Sequence, residues 1–185
     1  AEQFGWRLIF VTLAALALPA LANAGMRWHE TRPLNAAAVC RSGLPVLSSP
    51  AFWVYTLAFS AGMGTFFVFF STSPRVLIGQ AGYSEFGFSL AFSTVAVMMI
   101  LTARGAKAFV ARWGIAGCVA RGMALLVSGA VLLAAGELSG SPSFLTFIVP
   151  MWVMATGIVL TVSVTANGAL AGFDDVAGSA VAFYF

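Results

Sequence analysis

Charged side chains are scarce in this chain. Nine lysines and arginines and six aspartates and glutamates make up 8% of its 185 residues, whereas an average soluble domain carries about 25% charged residues. So few charges cannot coat a globular protein of this size, so most of its surface is expected to face an apolar medium. The composition argues against a soluble fold and predicts lipid bilayer as the surrounding medium.

The basic residues give little support to nucleic-acid binding. The formal net charge is +3, but lysines and arginines stand singly between apolar runs and form no basic stripe. We therefore expect no nucleic-acid partner.

Cysteine and histidine are too few for a disulfide framework or a metal centre. Cys40 and Cys118 form no C-x-x-C pair, and His29 is the single histidine. His29 and Glu30 resemble the start of a zinc-protease motif, but Pro33 stands where its second histidine belongs. No acid, lysine or histidine lies in the middle of an apolar run, where a hydrolase would need a base. We expect no metal, no cofactor and no enzyme.

Long apolar runs are what the chain has instead. They lie near 6–24, 51–70, 86–103, 114–136 and 143–165, and a sixth covers 176–185. Each complete run approaches the roughly 20 residues with which an α-helix crosses the hydrocarbon of a bilayer. The alternating pattern of barrel strands is absent. The runs predict an all-α membrane protein.

Serine and proline mark where several of these helices should begin. Ser49-Pro50 and Ser141-Pro142 are each typical of an N-cap followed by proline at the first helical position, and Ser84 can cap the third run.

The positions of lysine and arginine predict the orientation. They collect in 25–50 and 104–113, and basic loops stay in the cytoplasm. The segments 71–85 and 137–142 then face the other compartment. We divide the chain into a transmembrane helix over 1–24, a cytoplasmic loop over 25–48 and a helical region over 49–185.

The first run also has a rival interpretation. Arg7, the apolar stretch and Ala22-Asn23-Ala24 imitate a secretory signal with its cleavage site. Glu2 and the weak basic start disfavour this reading. A chain that starts without methionine and ends inside an apolar run is expected to be part of a longer protein.

Two helix faces could carry function. Tyr55, Phe59, Met63 and Phe66 recur at helical spacing and form a candidate substrate-binding face. The alternative is that these side chains contact lipid or neighbouring helices. A stripe of small residues recurs every four positions from 116 to 128 and predicts close helix packing, with a ligand groove as the alternative.

Several motifs resemble a known family. They are Ser71-Thr72-Ser73-Pro74, Tyr83-Ser84-Glu85-Phe86-Gly87-Phe88 with Phe92, Arg27-Trp28-His29-Glu30-Thr31-Arg32-Pro33 and Ser49-Pro50-Ala51-Phe52-Trp53-Val54-Tyr55. The first two resemble a signature of the Bcr/CflA drug-resistance transporters of the major facilitator superfamily. The others resemble the chloramphenicol/florfenicol exporters, and the resemblance spans essentially the whole chain.

The resemblance implies an incomplete major facilitator superfamily fold, from helix six to the start of helix eleven of twelve. In that scheme 1–24 is helix six, 25–48 is the central loop and 49–185 is a truncated C-terminal half. It also implies a multi-pass protein of the bacterial inner membrane that exports chloramphenicol-like drugs with the proton gradient as energy source. The implied partners are a small hydrophobic drug, the bilayer and the N-terminal half of the same chain, which would hold the coupling groups.

A cytoplasmic gate is a further hypothesis. Transporters of this superfamily often repeat a basic loop between helices eight and nine, and Arg104, Lys107 and Arg112 occupy that place here without the usual acid. Asp174 and Asp175 at the start of the last helix could pair with these cations. Solvated charges without partners are the alternative.

Two alternatives to a chloramphenicol exporter stay open. The first is an exporter of another hydrophobic compound, because the sequence does not identify the residues that select the substrate. The second is a membrane scaffold subunit without transport activity.

Overall fold

The computed structural model describes residues 5–27, 43–138, 140, 143–173 and 176–185. Contacts divide the chain into two compact units, Ala1–Ala38 and Val39–Phe185. The described residues of the first unit form one helix, α1, Gly5–Arg27, with Pro19 inside it. The predicted loop over 25–48 lies mostly outside the described residues.

The regular elements of the second unit are all helices, and its described residues include no strand. Its elements are α2 (Gly43–Leu47), α3 (Pro50–Pro74) with a π-helical continuation (Arg75–Gln80), α4 (Glu85–Glu137), a π-helical turn (Phe144–Ile148) leading into α5 (Val149–Leu170), and α6 (Ala177–Tyr184). Three helical stretches are long and apolar enough to cross a membrane, Pro50–Gln80, Glu85–Leu138 and Phe144–Leu170. The all-helical prediction is confirmed for this part of the chain.

Side-chain caps set the helix starts. The Ser49 hydroxyl accepts a hydrogen bond from the Phe52 amide at 3.3 Å, and the Ser84 hydroxyl accepts one from the Gly87 amide at 3.1 Å. Both caps agree with the sequence analysis. The next helical stretch is capped by Ser143, which forms a capping box with Thr146. The Ser141-Pro142 cap predicted there lies outside the described residues.

α4 consists of two helical arms that meet at a sharp break at Gly114. The backbone of Gly114 has φ 68° and ψ 176°, a conformation that is essentially reserved for glycine. Thr94 before the fold and Gly129 after it both lie beside the first turns of α5, so the two arms of α4 run antiparallel. The segment 104–113, assigned to a loop in the sequence analysis, is helical here. The loop was predicted because the apolar run ends at 103, but the end of an apolar run shows only where a helix leaves the hydrocarbon. Alanine, arginine and lysine are good helix formers, so the helix continues through this segment.

α5 is the central helix of the unit. About two thirds of its most apolar window, 67%, is buried, against 22% for α3 and 28% for α4. Glycines bring α4 against it: a Cβ on Gly122 would lie 2.9 Å from the carbonyl oxygen of Gly157, and one on Gly136 would lie 2.8 Å from that of Thr146. Backbones approach this closely only where side chains are missing.

The small-residue stripe of α4 does not lie in the contact between α4 and α5. Ala116, Ala120, Ala124 and Ser128 are all exposed in the described structure. The prediction that this stripe packs against a neighbouring helix is therefore wrong for the helices described. The packed face is formed instead by Cys118, Gly122, Leu126 and Gly129, one or two positions further along the helix.

Candidate functional site

The predicted substrate-binding face of α3 is divided by its neighbours. The Tyr55 ring covers Gly168 of α5, because a Cβ on Gly168 would lie 2.8 Å from Cζ of Tyr55. Phe59 contacts the last helix instead, with its ring centroid 4.9 Å from that of Tyr184 and 5.5 Å from that of Phe185. These two aromatic rings therefore serve helix packing in the described structure.

Met63 and Phe66 line a common cavity. It has a volume of about 230 Å³ and lies between α3, the first arm of α4 and α5. The other lining residues are Met99, Ile158, Val159, Val162 and Ser163. The wall is thioether, aromatic and aliphatic, because Ser163 contributes only apolar atoms to it. Such a surface suits an apolar aromatic ligand, because thioethers contact ring edges favourably and adapt their shape.

A second cavity follows the groove between α3 and the second arm of α4. Its volume is about 540 Å³. Ala58 and Ala61 line one side, and Ala116 and Ala120 of the small-residue stripe line the other. Tyr55 also reaches this groove, so the structure places Tyr55 and the pair Met63 and Phe66 at different cavities.

A third cavity lies beside the aromatic core at the other end of α3. It has a volume of about 240 Å³, and Phe69 and Phe147 contribute to its wall. Phe69 stacks on Phe92 of α4 with 5.3 Å between ring centroids and 4° between planes. The rings of Phe69, Phe92 and Phe147 tie together α3, α4 and the π-helical turn before α5, so we assign this cavity to packing.

The basic residues of the predicted gate lie on α4. Arg104, Lys107 and Arg112 are exposed, and none forms an ion pair with another described residue. Asp174 and Asp175, the proposed acidic partners, lie outside the described residues. The gate hypothesis stays a prediction.

Arg121 has a different role that the sequence analysis did not identify. Its guanidinium carbon lies 4.5 Å from the centre of the Trp113 ring, and Nη1 donates to the Gly117 carbonyl oxygen at 3.2 Å. Trp113 in turn stacks on Phe109 at 5.2 Å. The stack joins both arms of α4 across the Gly114 fold. The sequence signal for this stack was only Trp113 directly after Arg112, with Arg121 eight positions later.

Two polar contacts between helices were also missed. Trp152 Nε1 donates to Thr94 Oγ1 at 2.9 Å, which links α5 to α4. Tyr184 Oη donates to Thr165 Oγ1 at 2.7 Å, which links α6 to α5. A hydropathy reading treats threonine, tyrosine and tryptophan as part of an apolar run, so the pairing shows only in three dimensions.

No group of three metal-ligating side chains occurs in the part of the chain that the structure describes. Cys118 is a free, buried cysteine on the packed face of α4.

Two curated proteins are similar to this chain, and both are named "Chloramphenicol resistance protein". The one from Pseudomonas aeruginosa is 46% identical over 182 residues, which cover 98% of this chain and 43% of the relative. The one from Escherichia coli is 37% identical over 115 residues, which cover 62% of this chain and 38% of the relative. The chain therefore spans less than half the length of these relatives. No family model matches the chain, and no solved structure matches it.

Proposed function

We propose that the chain is part of a multi-pass transporter of the bacterial inner membrane that exports chloramphenicol-like drugs. The observation that carries this proposal is 46% identity over nearly the whole chain to a protein named for chloramphenicol resistance. The three long apolar helices support a place in the membrane. They favour export over chemical modification of the drug as the basis of resistance.

The finer assignment rests on the motifs. The resemblance to Bcr/CflA transporters supports a place in the major facilitator superfamily, with this chain running from helix six to the start of helix eleven. Drug would bind between the two halves near the midplane, and the halves would rock around it. The proton gradient would drive export, through ionisable groups in the other half. No cofactor is part of this scheme.

In this proposal the cavity at Met63 and Phe66 belongs to the drug site. Its apolar wall would take the aromatic ring of the drug, and it lies between three helices as ligand sites in helical bundles do. Tyr55 and Phe59 would support that wall by holding α3 against α5 and α6.

Drug accumulation tests the proposal. The complete transporter, expressed in a susceptible host that lacks its own exporters, is expected to lower the accumulation of labelled chloramphenicol. A protonophore should restore accumulation to the level of cells without the transporter. If cells with the protein in their membrane accumulate as much chloramphenicol as cells without it, the proposal is contradicted. If the protein instead confers resistance only to unrelated apolar drugs, the alternative of an exporter for another hydrophobic compound is favoured.

A matched pair of variants tests the cavity. Met63→Ala should weaken export of chloramphenicol, because it removes an apolar wall of the drug site. Met26→Ala on α1, where the side chain is 79% exposed, should leave export unchanged. Equal effects of both substitutions would remove the cavity from the proposed site.

A further inference from the structure

The open side of α5 differs chemically from the open sides of its neighbours. Along α5 the exposed or half-buried positions Trp152, Thr156, Val159, Ser163 and Asn167 recur every three or four residues and share one face. The exposed sides of the other two long helices carry large apolar side chains such as Val68, Phe70 and Val131. Of these surfaces, the face of α5 is the one that suits contact with polar groups of a ligand or with water.

Most hydroxyl groups on the exposed sides of the other helices are already satisfied, although Ser60 of α3 is exposed and forms no hydrogen bond with a described residue. Ser71 and Ser93 each donate to the carbonyl oxygen four residues earlier, both at 2.7 Å, and Ser128 donates to the carbonyl oxygen of Leu125 at 3.0 Å. Such bonds within one helix are how a hydroxyl tolerates lipid.

Ser163 and Asn167 are exposed and form no hydrogen bond with any described residue. Ser163 lines the cavity that holds Met63 and Phe66, and Asn167 follows one helical turn later on the same face. On α3, the Thr56 hydroxyl is buried without a partner two helical turns before Met63, but Thr56 does not line this cavity. Ser163 and Asn167 therefore place unsatisfied polar groups of α5 beside an apolar cavity.

Leaving such groups unpaired in a membrane interior is costly, so they are expected to meet a ligand there. Chloramphenicol carries an aromatic ring together with hydroxyl and amide groups and has no charge at neutral pH. Its ring matches the apolar wall, and its polar groups match one hydroxyl and one carboxamide that each donate and accept.

We propose that Ser163 and Asn167 form the hydrogen-bonding subsite of the drug site, where they select neutral aromatic drugs with hydroxyl and amide groups. This inference rests on the proposed function and adds to it the residues that read the polar part of the drug. Val159 and Met63 hold the apolar part, and Asn167 lies at the end of the subsite away from Trp152.

Transport kinetics of the complete transporter in proteoliposomes test the inference. Ser163→Ala and Asn167→Ala should each raise the apparent KM for chloramphenicol about three- to tenfold and leave kcat within about twofold, as expected for one lost hydrogen bond in binding. Ser128→Ala, which removes an exposed but satisfied hydroxyl on α4, should change neither constant. A role in helix packing alone would lower protein yield or kcat and leave KM unchanged.

Cysteine labelling gives a second readout that does not depend on transport rate. On a background with Cys40→Ser and Cys118→Ala, the variant Ser163→Cys should react with a hydrophilic thiol reagent, and chloramphenicol should slow the reaction. Ser128→Cys should be unaffected by the drug.

The outcomes separate the two proposals. If the unmodified transporter does not move chloramphenicol, the proposed function fails and this inference fails with it. If transport is intact while the two alanine variants keep the original KM, or the drug does not protect Ser163→Cys, only the inference is overturned.

Discussion

At the scale of single residues, glycines decide how closely α4 and α5 approach. A Cβ on Gly122 would lie 2.2 Å from Oγ1 of Thr161 and 2.9 Å from a backbone oxygen of α5. Gly122→Ala must therefore push the helices apart, and we expect it to lower the free energy of unfolding by about 1–3 kcal/mol, as overpacking does. The midpoint of thermal unfolding in detergent measures the loss.

Gly64→Ala is the matched control for this prediction. Gly64 lies on α3, and a Cβ there would meet nothing within 4 Å. Alanine should be neutral or slightly stabilising at this position because it forms helix better than glycine. An equal loss of stability from Gly122→Ala and Gly64→Ala would mean that the close approach of α4 and α5 at Gly122 is not what makes alanine destabilising there.

The fold of α4 depends on one residue as well. Gly114 has a positive φ of 68°, and an L-residue in that conformation costs about 1–3 kcal/mol. We expect Gly114→Ala to reduce the yield of folded, monodisperse protein, measured by size-exclusion chromatography. Because no atom lies within 4 Å of a Cβ at this position, a loss would come from backbone conformation and not from a clash.

At the scale of helices, a polar pair joins α4 to α5. Trp152 donates to Thr94 across the helix contact at 2.9 Å, and hydrogen bonds between transmembrane helices are worth about 0.6 kcal/mol on average, up to about 1.7. A double-mutant cycle with Trp152→Phe and Thr94→Val should give a coupling energy in that range. Additive effects of the two substitutions would show that the pair contributes nothing as a pair.

Helices were easier to predict from the sequence than their partners. Long apolar runs and the caps at Ser49 and Ser84 require only local chemistry, and the structure has both caps. The stripe from 116 to 128 was assigned to packing because small residues permit close approach, but glycines one or two positions away permit a closer one. Which of two small faces is buried depends on the neighbouring helix, and that information is not local.

The candidate site was predictable in part for the same reason. Helical spacing grouped Met63 and Phe66 correctly on one face, and both line one cavity. Tyr55 and Phe59 share that spacing but are engaged by Gly168 and Tyr184, which follow more than a hundred residues later. The open polar face of α5 was missed because one serine and one asparagine hardly alter the hydropathy of a run.

At the scale of the whole molecule, the distribution of basic residues predicts which ends of the helices lie in the cytoplasm. Lys107 lies on the exposed side of α4 near the fold at Gly114, and Leu138 lies at the far end of the second arm, 90% exposed. The arm between them, from 115 to 137, is long enough to span the hydrocarbon. The two positions should therefore lie on opposite sides of the membrane.

An impermeant maleimide applied to intact cells checks this topology on a background with Cys40→Ser and Cys118→Ala. Leu138→Cys should react from outside, while Lys107→Cys should react only after the cells are opened, because basic segments stay in the cytoplasm. The reverse pattern would invert the orientation of the whole chain. Labelling of both positions from one side would contradict the crossing itself, and α4 would then lie along the membrane, where neither arm could form part of a drug pathway.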